Sequence, residues 1–286
     1  MNEVEDQKEH RKKMENEKQM KEKLHKLINE THKVSDDTDE YQTVLEVVSV
    51  LGSTDAELRD ELGYQALIKL LIHNKYLTNN EVKELLAYAT SGEMLFYKLG
   101  EVGTDSVFLR SFSSLLITLL LYRDNQDKFL AKSEYNSVVE LVVSYCRLEK
   151  DYRDFVEGKG WAHAPAHVSD AIDELVKNRH ADIDSCMLLW EGVTELVVNA
   201  PCVFAAEEDE RIATPVLAMI EYEKVPLSTL RTWMKEISVS ENKLHEKINI
   251  KNFSRCFSNR LIVKDPSINY GHLVKELEHQ FNSLFV

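Results

Sequence analysis

Glycine and proline are scarce in this sequence, and their scarcity bears on the fold class. The 286 residues include nine glycines and five prolines, about 5% of the chain against about 12% in average proteins. These two residues mark turns and interrupt helices, and the apolar residues recur with helical spacing. The pattern therefore predicts an all-α protein.

Cysteine pairs and long apolar segments are also missing. The four cysteines are Cys146, Cys186, Cys202 and Cys256. They are scattered without a C-x-x-C pair, which favours free thiols in a reducing compartment over a disulfide framework. The longest apolar run, 115–121, is far shorter than the about 20 residues that span a bilayer. Because the charged N-terminus lacks an apolar signal region, we expect a cytoplasmic protein without a membrane partner.

Basic residues are outnumbered by acidic ones. The chain has 35 Lys and Arg against 49 Asp and Glu, and its net charge is −14. Residues 1–33 hold nine basic and eight acidic residues, so the remainder carries a net charge of −15. Such a body repels phosphate backbones, and we expect no nucleic-acid partner. Residues 1–33 have few apolar positions, which predicts a charged helical extension whose removal changes stability little.

Helical periodicity continues beyond the extension, and the predicted helices form pairs. The pairs lie near 41–51 and 56–72, 79–90 and 105–122, 133–147 and 161–177, 182–198 and 208–222, and 226–237 and 250–262, with a last segment near 271–284. The second helices begin about 40 to 55 residues apart, which overlaps the period of HEAT and armadillo repeats. We predict one α-solenoid domain of about five helix pairs over residues 34–286, because stacked pairs bury a continuous core.

The second helices share a basic position near their starts. Arg59, Arg110, Arg211 and Arg255 occupy it in four helices, and His163 corresponds to it in the middle one. Stacked repeats place equivalent positions side by side, so these residues are candidates for one groove. The alternative is coincidence among surface arginines.

Two histidines lie four residues apart in GKGWAHAPAHVSDAIDE (158–174). On a helix, His163 and His167 share one polar stripe with Asp170, beside an apolar face. The helix is expected to begin close to Trp161, with Pro165 in its first turn, where proline is tolerated. The partial positive charge of a helix N-terminus keeps both rings neutral and able to accept a proton or a metal ion.

The roles of these histidines stay open at this point. They could be structural or line a polar groove, they could bind a divalent metal ion together with Asp170, or they could exchange protons with a ligand. A neighbouring acid, Glu157, Asp105 or Asp209, is an alternative third metal ligand. The segment between the histidines lacks the catalytic Glu of H-E-x-x-H, which argues against a metalloprotease.

Two further stretches resemble site material. They are EVGTDSVFLRS (101–111) and AEEDERIATP (206–215), and each is also a helix start in which acidic residues satisfy the helix dipole. Together with the histidine helix they predict a polar, partly acidic ligand groove. Its residues are Asp105, Ser106, Arg110, Trp161, His163, His167, Asp170, Asp209 and Arg211.

Three motifs carry a resemblance to a known family. They are GEVGTDSVFLRSFSSLLITLLLYRDN (100–125), VEGKGWAHAPAHVSDAIDELVKN (156–178) and EEDERIATPVLAMIE (207–221). In this order they resemble the bacterial family known as domain of unknown function 2785, from about residue 52 to the C-terminal region. The resemblance implies a bacterial, all-helical protein, and it names no activity.

Two functions remain as hypotheses. The first is a binding module for a protein, a peptide or a small molecule, with its groove centred on the histidine helix. The alternative is a metal-dependent, hydrolase-like enzyme in which His163 and His167 are ligands and a nearby acid is the base. The sequence has no G-x-S-x-G motif, P-loop or Rossmann glycine pattern, so the common nucleophile and nucleotide sites lack their signatures.

Overall fold

Helices account for most of the residues that the computed structural model describes, which are 3–29, 39–237 and 244–264. They are α1 (Glu3–Asn29), α2 (Glu40–Val48), α3 (Gln65–Leu67), α4 (Asn79–Ala89), α5 (Ser106–Asp127), α6 (Lys132–Leu148), α7 (Ala164–Lys177), α8 (Ile183–Val198), α9 (Glu208–Glu221), α10 (Leu227–Glu236) and α11 (Leu244–Lys264). Two π-helical stretches, Glu57–Tyr64 and Ile68–His73, flank α3 and join it into one helical segment, which we call the π-helical segment (57–73). The prediction of a predominantly helical protein is confirmed.

A small hairpin departs from the helical pattern. Strands β1 (Phe155–Val156) and β2 (Gly160–Trp161) pair antiparallel, with Phe155 opposite Trp161 and Val156 opposite Gly160. Gly158 and Gly160 have positive φ angles of 73° and 80°, which glycine adopts without steric cost. The predicted helix start near Trp161 is therefore wrong, because α7 begins only at Ala164.

Local capping explains several helix starts. Asp39 accepts hydrogen bonds from the backbone N–H groups of Tyr41 and Gln42 at the start of α2. Thr78 and Glu81 form a reciprocal capping box at the start of α4. Such caps satisfy N–H groups that have no partner inside the helix. The helix predicted near 250–262 is longer than expected, and the segment predicted near 271–284 lies outside the described residues.

Alternate helices pack on one another from the middle of the chain onward. Helix α5 packs on α7, α7 on α9, and α9 on α11, while α6 packs on α8. The π-helical segment also contacts α5. By length and composition α5 is apolar enough to cross a membrane, but 83% of its most apolar stretch is buried inside the protein. It is therefore placed as a core helix.

The end of α1 contacts the body of the protein. Leu24 is fully buried, and Leu27 and Ile28 pack against the same hydrophobic core. Lys21 forms salt bridges with Glu57, at the start of the π-helical segment, at 2.5 Å and with Asp55, just before it, at 2.6 Å. The apolar residues near the end of α1 are thus part of the core, whereas the domain limit at residue 33 stays a prediction.

Candidate functional site

The hairpin presents an aromatic pair at the surface. Phe155 and Trp161 are cross-strand partners, and their rings meet edge to face with centroids 5.2 Å apart. Phe155 is 55% exposed and Trp161 is 39% exposed. Exposed aromatic side chains that are held in a fixed arrangement are typical of binding surfaces.

A buried arginine holds this hairpin in place through hydrogen bonds to its backbone. Arg59, in the π-helical segment, is completely buried and donates to three backbone carbonyls, those of Ser53 at 2.7 Å, Lys159 at 2.8 Å and Trp161 at 3.2 Å. Two of these carbonyls belong to the hairpin, about a hundred residues away along the chain. Arg59 therefore connects the hairpin to the π-helical segment.

The charge of Arg59 is stabilised by aromatic faces. Its guanidinium carbon lies 4.3 Å from the centre of the Phe108 ring and 4.7 Å from that of Phe112, which is the range of cation–π attraction. Nε has no hydrogen-bond partner among the described residues. Burial lowers the pKa of Arg59 to about 10, although Asp60 and Asp55 act in the opposite direction.

His163 supports the aromatic pair from the start of α7. Its ring stacks on Trp161 with centroids 4.8 Å apart, and its own backbone is left-handed, with φ 52°. Nε2 lies 3.1 Å from the carbonyl oxygen of Ala206 and 3.2 Å from Oε1 of Glu208. Because both are acceptors, Nε2 must carry a hydrogen. His163 thereby joins the hairpin to the start of α9.

Glu208 is a buried carboxylate at this junction, with 1% of its surface exposed. Burial raises its pKa, but hydrogen bonds from His163 and from the backbone N–H of Ala206 outweigh burial, and the net shift of the pKa is downward. Glu208 is therefore ionised near neutral pH and contributes one negative charge to this junction.

His167 lies one turn further along α7 and is also buried. Its Nδ1 is 2.7 Å from Oγ of Ser111, and the same hydroxyl contacts the carbonyl oxygen of Ala162. A carbonyl only accepts, so the single hydroxyl proton of Ser111 goes to Ala162, and Nδ1 of His167 must be the donor toward Ser111. The neutral ring then keeps its lone pair on Nε2. The His167 ring also meets that of Phe112 edge to face, at 5.2 Å.

Burial is the main reason that His167 is neutral. Burial lowers the pKa of this imidazole well below its usual value, and nearby positive charge lowers it further; the groups that act are His163, Arg211 and Arg59. The helix dipole was the expected cause from the sequence, whereas the structure gives enclosure in the core the leading part.

The two histidines and Asp170, which were proposed together as metal ligands, each have a protein partner. His163 is bonded to Ala206 and Glu208, and His167 to Ser111. Asp170 is held by Arg211 in a two-point salt bridge, with Nε of Arg211 at 3.0 Å from Oδ1. Within the described ranges, no group of three or more His, Cys, Asp and Glu side chains is placed to hold a metal ion.

Arg110 lies in a different network from the one expected. Its guanidinium makes a buried, two-point salt bridge with Glu149, at 2.6 and 2.9 Å. It also donates to Ser106 at 2.8 Å and to backbone carbonyls of residues 97, 98 and 101. These bonds fix the loop before α5 to the loop after α6. The expectation that Arg110 would join His163 at a groove is not met by this geometry.

The predicted groove residues therefore fall into separate places. Trp161, His163 and His167 are in contact with one another through their rings. Asp105 instead accepts from Lys159 at 2.7 Å, and Asp209 lies 3.6 Å from Sγ of Cys256. The structure thus brings together the residues of the histidine helix and its neighbouring strand, while the acids at the helix starts contact Lys159 of the hairpin turn and Cys256 of α11.

A cavity of about 240 Å³ lies beside the hairpin, at a place that no sequence motif predicts. Its walls come from the loops before α5, α7 and α9: Val102, Lys150, Asp151, Tyr152, Arg153, Asp154, Pro201, Cys202, Val203, Phe204, Ala205 and Glu208. Val102 is 62% exposed and Val203 is 40% exposed. No periodic pattern marks these residues, because loops from three places in the chain form the cavity.

Two larger cavities, of about 600 and 580 Å³, lie beside α2. Both are bordered by Ser49, Gly52 and Leu109, so they adjoin one another. The first has many hydroxyl groups in its walls, and the second is more apolar, with Tyr41 and Tyr88 at its border. They form a second candidate site, away from the histidine helix.

Comparison with known proteins gives one match. The family model described as protein of unknown function (DUF2785) matches residues 95–263. The matched region includes the hairpin, both histidines and the 240 Å³ cavity, whereas Arg59 and α2 precede it. The comparisons with curated proteins and with solved structures gave no match.

Proposed function

Because the chain belongs to the DUF2785 family of proteins of unknown function, we propose a function from its own geometry, namely that it is a binding module for a partner protein or peptide. The proposed contact area, which we call the hairpin surface, consists of Phe155, Trp161, Val102, Val203 and the adjoining 240 Å³ cavity. Every one of these parts lies within the matched residues.

The exposed Phe155–Trp161 pair is the observation that carries this proposal. The two rings pack on each other at the surface, while His163 supports Trp161 on a second side. Large aromatic side chains in such positions supply much of the binding energy in protein interfaces. An exposed apolar cluster on a soluble protein is also the kind of patch that marks an interaction site.

Preorganisation supports the same proposal. The hairpin is held by the buried Arg59, and the loop before α9 is held by the hydrogen bonds of His163 and Glu208. A surface that is already ordered loses little conformational entropy when a partner binds.

The hairpin surface is also favoured over the larger cavities beside α2. Those cavities are bordered by α2, which precedes the family match, and one of them is partly walled by Glu17 of α1. The hairpin surface instead combines exposed aromatic rings, from the segment before α7, with a cavity formed by the loops that precede α5, α7 and α9.

We propose that the helix pairs form an α-solenoid with HEAT-like stacking. The packing order α5, α7, α9 and α11, with α6 on α8 beside it, supports this architecture. In such an array the loops that precede equivalent helices share one edge. Two contacts fit this arrangement: Arg153 donates to the carbonyl of Thr104 at 2.5 Å, and His163 reaches Ala206. The scattered free cysteines further support a cytoplasmic location.

The metal-dependent hydrolase receives no support from a specific contact. Nε2 of His163 carries a hydrogen toward two acceptors, so it has no lone pair for a metal ion. Ser111 is fully buried, and its hydroxyl proton is committed to a carbonyl. Nε2 of His163, Nδ1 of His167 and the hydroxyl of Ser111 are thus engaged in holding loops together.

A peptide-display selection tests the binding function. A library of random peptides is selected against the full chain, and the enriched peptides are titrated by calorimetry. We expect Trp161→Ala to weaken their binding at least tenfold, because an aromatic anchor contributes more than about 1.4 kcal/mol.

The matched control is Tyr122→Ala. Tyr122 is 42% exposed, close to Trp161 in exposure, but it lies eleven residues beyond Ser111 on α5, which is about 16 Å along the helix. A selection that enriches no peptide, or enriched peptides that bind Trp161→Ala as tightly as the unchanged protein, would count against the proposed function.

A further inference from the structure

The charge of the 240 Å³ cavity is set by its carboxylates. Three acids border it, and one of them, Asp151, is neutralised by Arg153, whose Nε lies 2.8 Å from Oδ1. The other two, Asp154 and Glu208, have no salt bridge to a Lys or Arg within the described ranges. Glu208 interacts with His163, and Oδ1 of Asp154 accepts from the backbone N–H of Phe155 at 2.7 Å.

The basic residues at the border face elsewhere. Lys150 donates from Nζ to the carbonyl oxygen of Arg147 at 3.3 Å. Arg153 is occupied by Asp151 and by the carbonyl of Thr104. The polar groups around the cavity therefore leave an excess of negative charge, which attracts a cation.

The pKa of a thiol at the border of the cavity responds to the same negative charges. Burial raises the pKa of Cys202, and the negative charges of Glu208 and Asp154 raise it further. The two carboxylates are thus close enough to act on one group in the cavity wall.

The apolar walls restrict what kind of cation fits. Pro201, Val203, Phe204 and Val102 are apolar residues of its wall. The volume equals that of about eight water molecules in the liquid, and it is smaller than the about 300 Å³ at which sites for drug-sized ligands begin. A chain of a few methylene groups that ends in a positive charge matches these dimensions and this distribution of charge.

We propose that the cavity receives a lysine or arginine side chain of the bound peptide, with its methylene groups against Val102, Val203 and Phe204 and its cationic end between Asp154 and Glu208. This inference rests on the proposed function, because it names the chemistry of the partner at the hairpin surface. The neighbouring Phe155–Trp161 pair then contacts apolar residues next to that side chain.

Small probes test the cavity without any identified partner. The ¹⁵N-labelled full chain is titrated with n-butylammonium, n-butylguanidinium, 1-butanol and butyrate at constant ionic strength, and the amide signals of Cys202, Val203 and Phe204 are followed by NMR. We expect saturable shifts with at least one of the two cations. At equal concentration, 1-butanol and butyrate should bind at least fivefold more weakly than that cation.

Two charge-removing variants in the same loop sharpen the result. Asp154→Asn keeps an oxygen that can accept from the N–H of Phe155, but it removes the charge, so we expect the bound cation to be held at least fivefold more weakly. Glu157→Gln removes an equal charge from the hairpin turn, outside the cavity wall, and should change the affinity less than twofold. Equal binding of 1-butanol and the cations, no saturable shift with either cation, or equal effects of the two variants would overturn the inference.

The selected peptides separate this inference from the proposed function. Peptides that depend on Trp161 but contain no Lys or Arg, and that bind Asp154→Asn normally, would overturn the cationic side chain and leave the binding function standing. If no peptide is enriched while butylammonium binds at the cavity, the cation site stands and the peptide-binding function fails.

Discussion

The protonation of His167 follows from a single hydroxyl proton. Ser111 gives that proton to the carbonyl of Ala162, which leaves Nδ1 of His167 as the donor in the 2.7 Å contact. The ring is buried and neutral, and its surroundings are positive rather than negative. His167 thus has a structural role at the loop junction. Because its buried ring resists protonation, it lowers the free energy of unfolding when the pH falls.

Acid should therefore lower the stability of the folded protein through His167. The pKa of His167 is lowered in the folded state, so the unfolded chain binds a proton first and stability falls as the pH drops below about 6.5. Between pH 6.5 and pH 5 this one group should remove up to about 1.6 kcal/mol from the free energy of unfolding. Urea unfolding at the two pH values measures it.

The same measurement on His167→Gln isolates the group. We expect the variant to lose up to about 1.6 kcal/mol less than the unchanged protein over this pH range. His25→Gln, on the exposed face of α1, is the control substitution. Identical pH dependence in the unchanged protein and in His167→Gln would show that the buried ring does not resist protonation.

Arg59 is the residue on which the position of the hairpin depends most. Arg59→Met would leave the carbonyls of Ser53, Lys159 and Trp161 without their donor, and we expect a loss of about 3 kcal/mol or more. Arg211→Met removes a salt bridge whose arginine is 40% exposed, so its cost should be about 1 kcal/mol or less. Urea unfolding compares the two variants, and equal losses would contradict the role of Arg59.

At the scale of elements, the hairpin is the feature that defines the proposed binding surface. Its turn needs two left-handed glycines, but the two positions differ in their surroundings. A Cβ on Gly160 would lie 2.7 Å from Cβ of Ala56 in front of the π-helical segment, whereas a Cβ on Gly158 would have no atom within 4 Å. Gly160 therefore permits the close approach of the hairpin to that segment.

Alanine substitutions separate the backbone effect from the packing effect. Gly158→Ala should cost about 1 kcal/mol, since only the left-handed conformation opposes it. Gly160→Ala should cost at least about 1 kcal/mol more, because the added methyl group also collides with Ala56. Thermal unfolding measures both, and a smaller loss for Gly160→Ala would contradict the packing described here.

Helices were predictable from the sequence where their signals are local. The Thr78 cap with Glu81 three residues later marks the start of α4, and the predicted helix near 79–90 is confirmed. The hairpin was not predicted, because its position depends on Arg59 and Gly160, which are far apart in the chain. The sequence places Arg110 in the groove because its position in the helix matches that of the other arginines. In the structure its salt-bridge partner is Glu149, in a distant loop. Side-chain partners of this kind leave no periodic signal.

At the scale of the whole molecule, α1 contributes more to the core than its charge suggests. The charge pattern of residues 1–33 predicts that their removal changes stability little, but the burial of Leu24 indicates a larger effect. We now expect the deletion to lower the melting temperature by several degrees, because about 2 kcal/mol or more of apolar burial is lost. A thermal melt of the two proteins measures the difference.

Point substitutions in the full chain control for the deletion. Leu24→Ala should cost about 2 kcal/mol or more, since it leaves a cavity in the core, while Met14→Ala, at a position that is 58% exposed, should be nearly neutral. An unchanged melting temperature after the deletion would mean that Leu24 covers a surface that the rest of the protein can close without it.

Hydrogen exchange of the full chain, with and without a selected peptide, shows whether a partner binds at the hairpin surface. We expect slower exchange in residues 150–163 and 199–208 on binding. Slower exchange beside α2, in residues 41–53 and 88–98, with the two loops unchanged, would place the partner in the larger cavities and contradict the proposal.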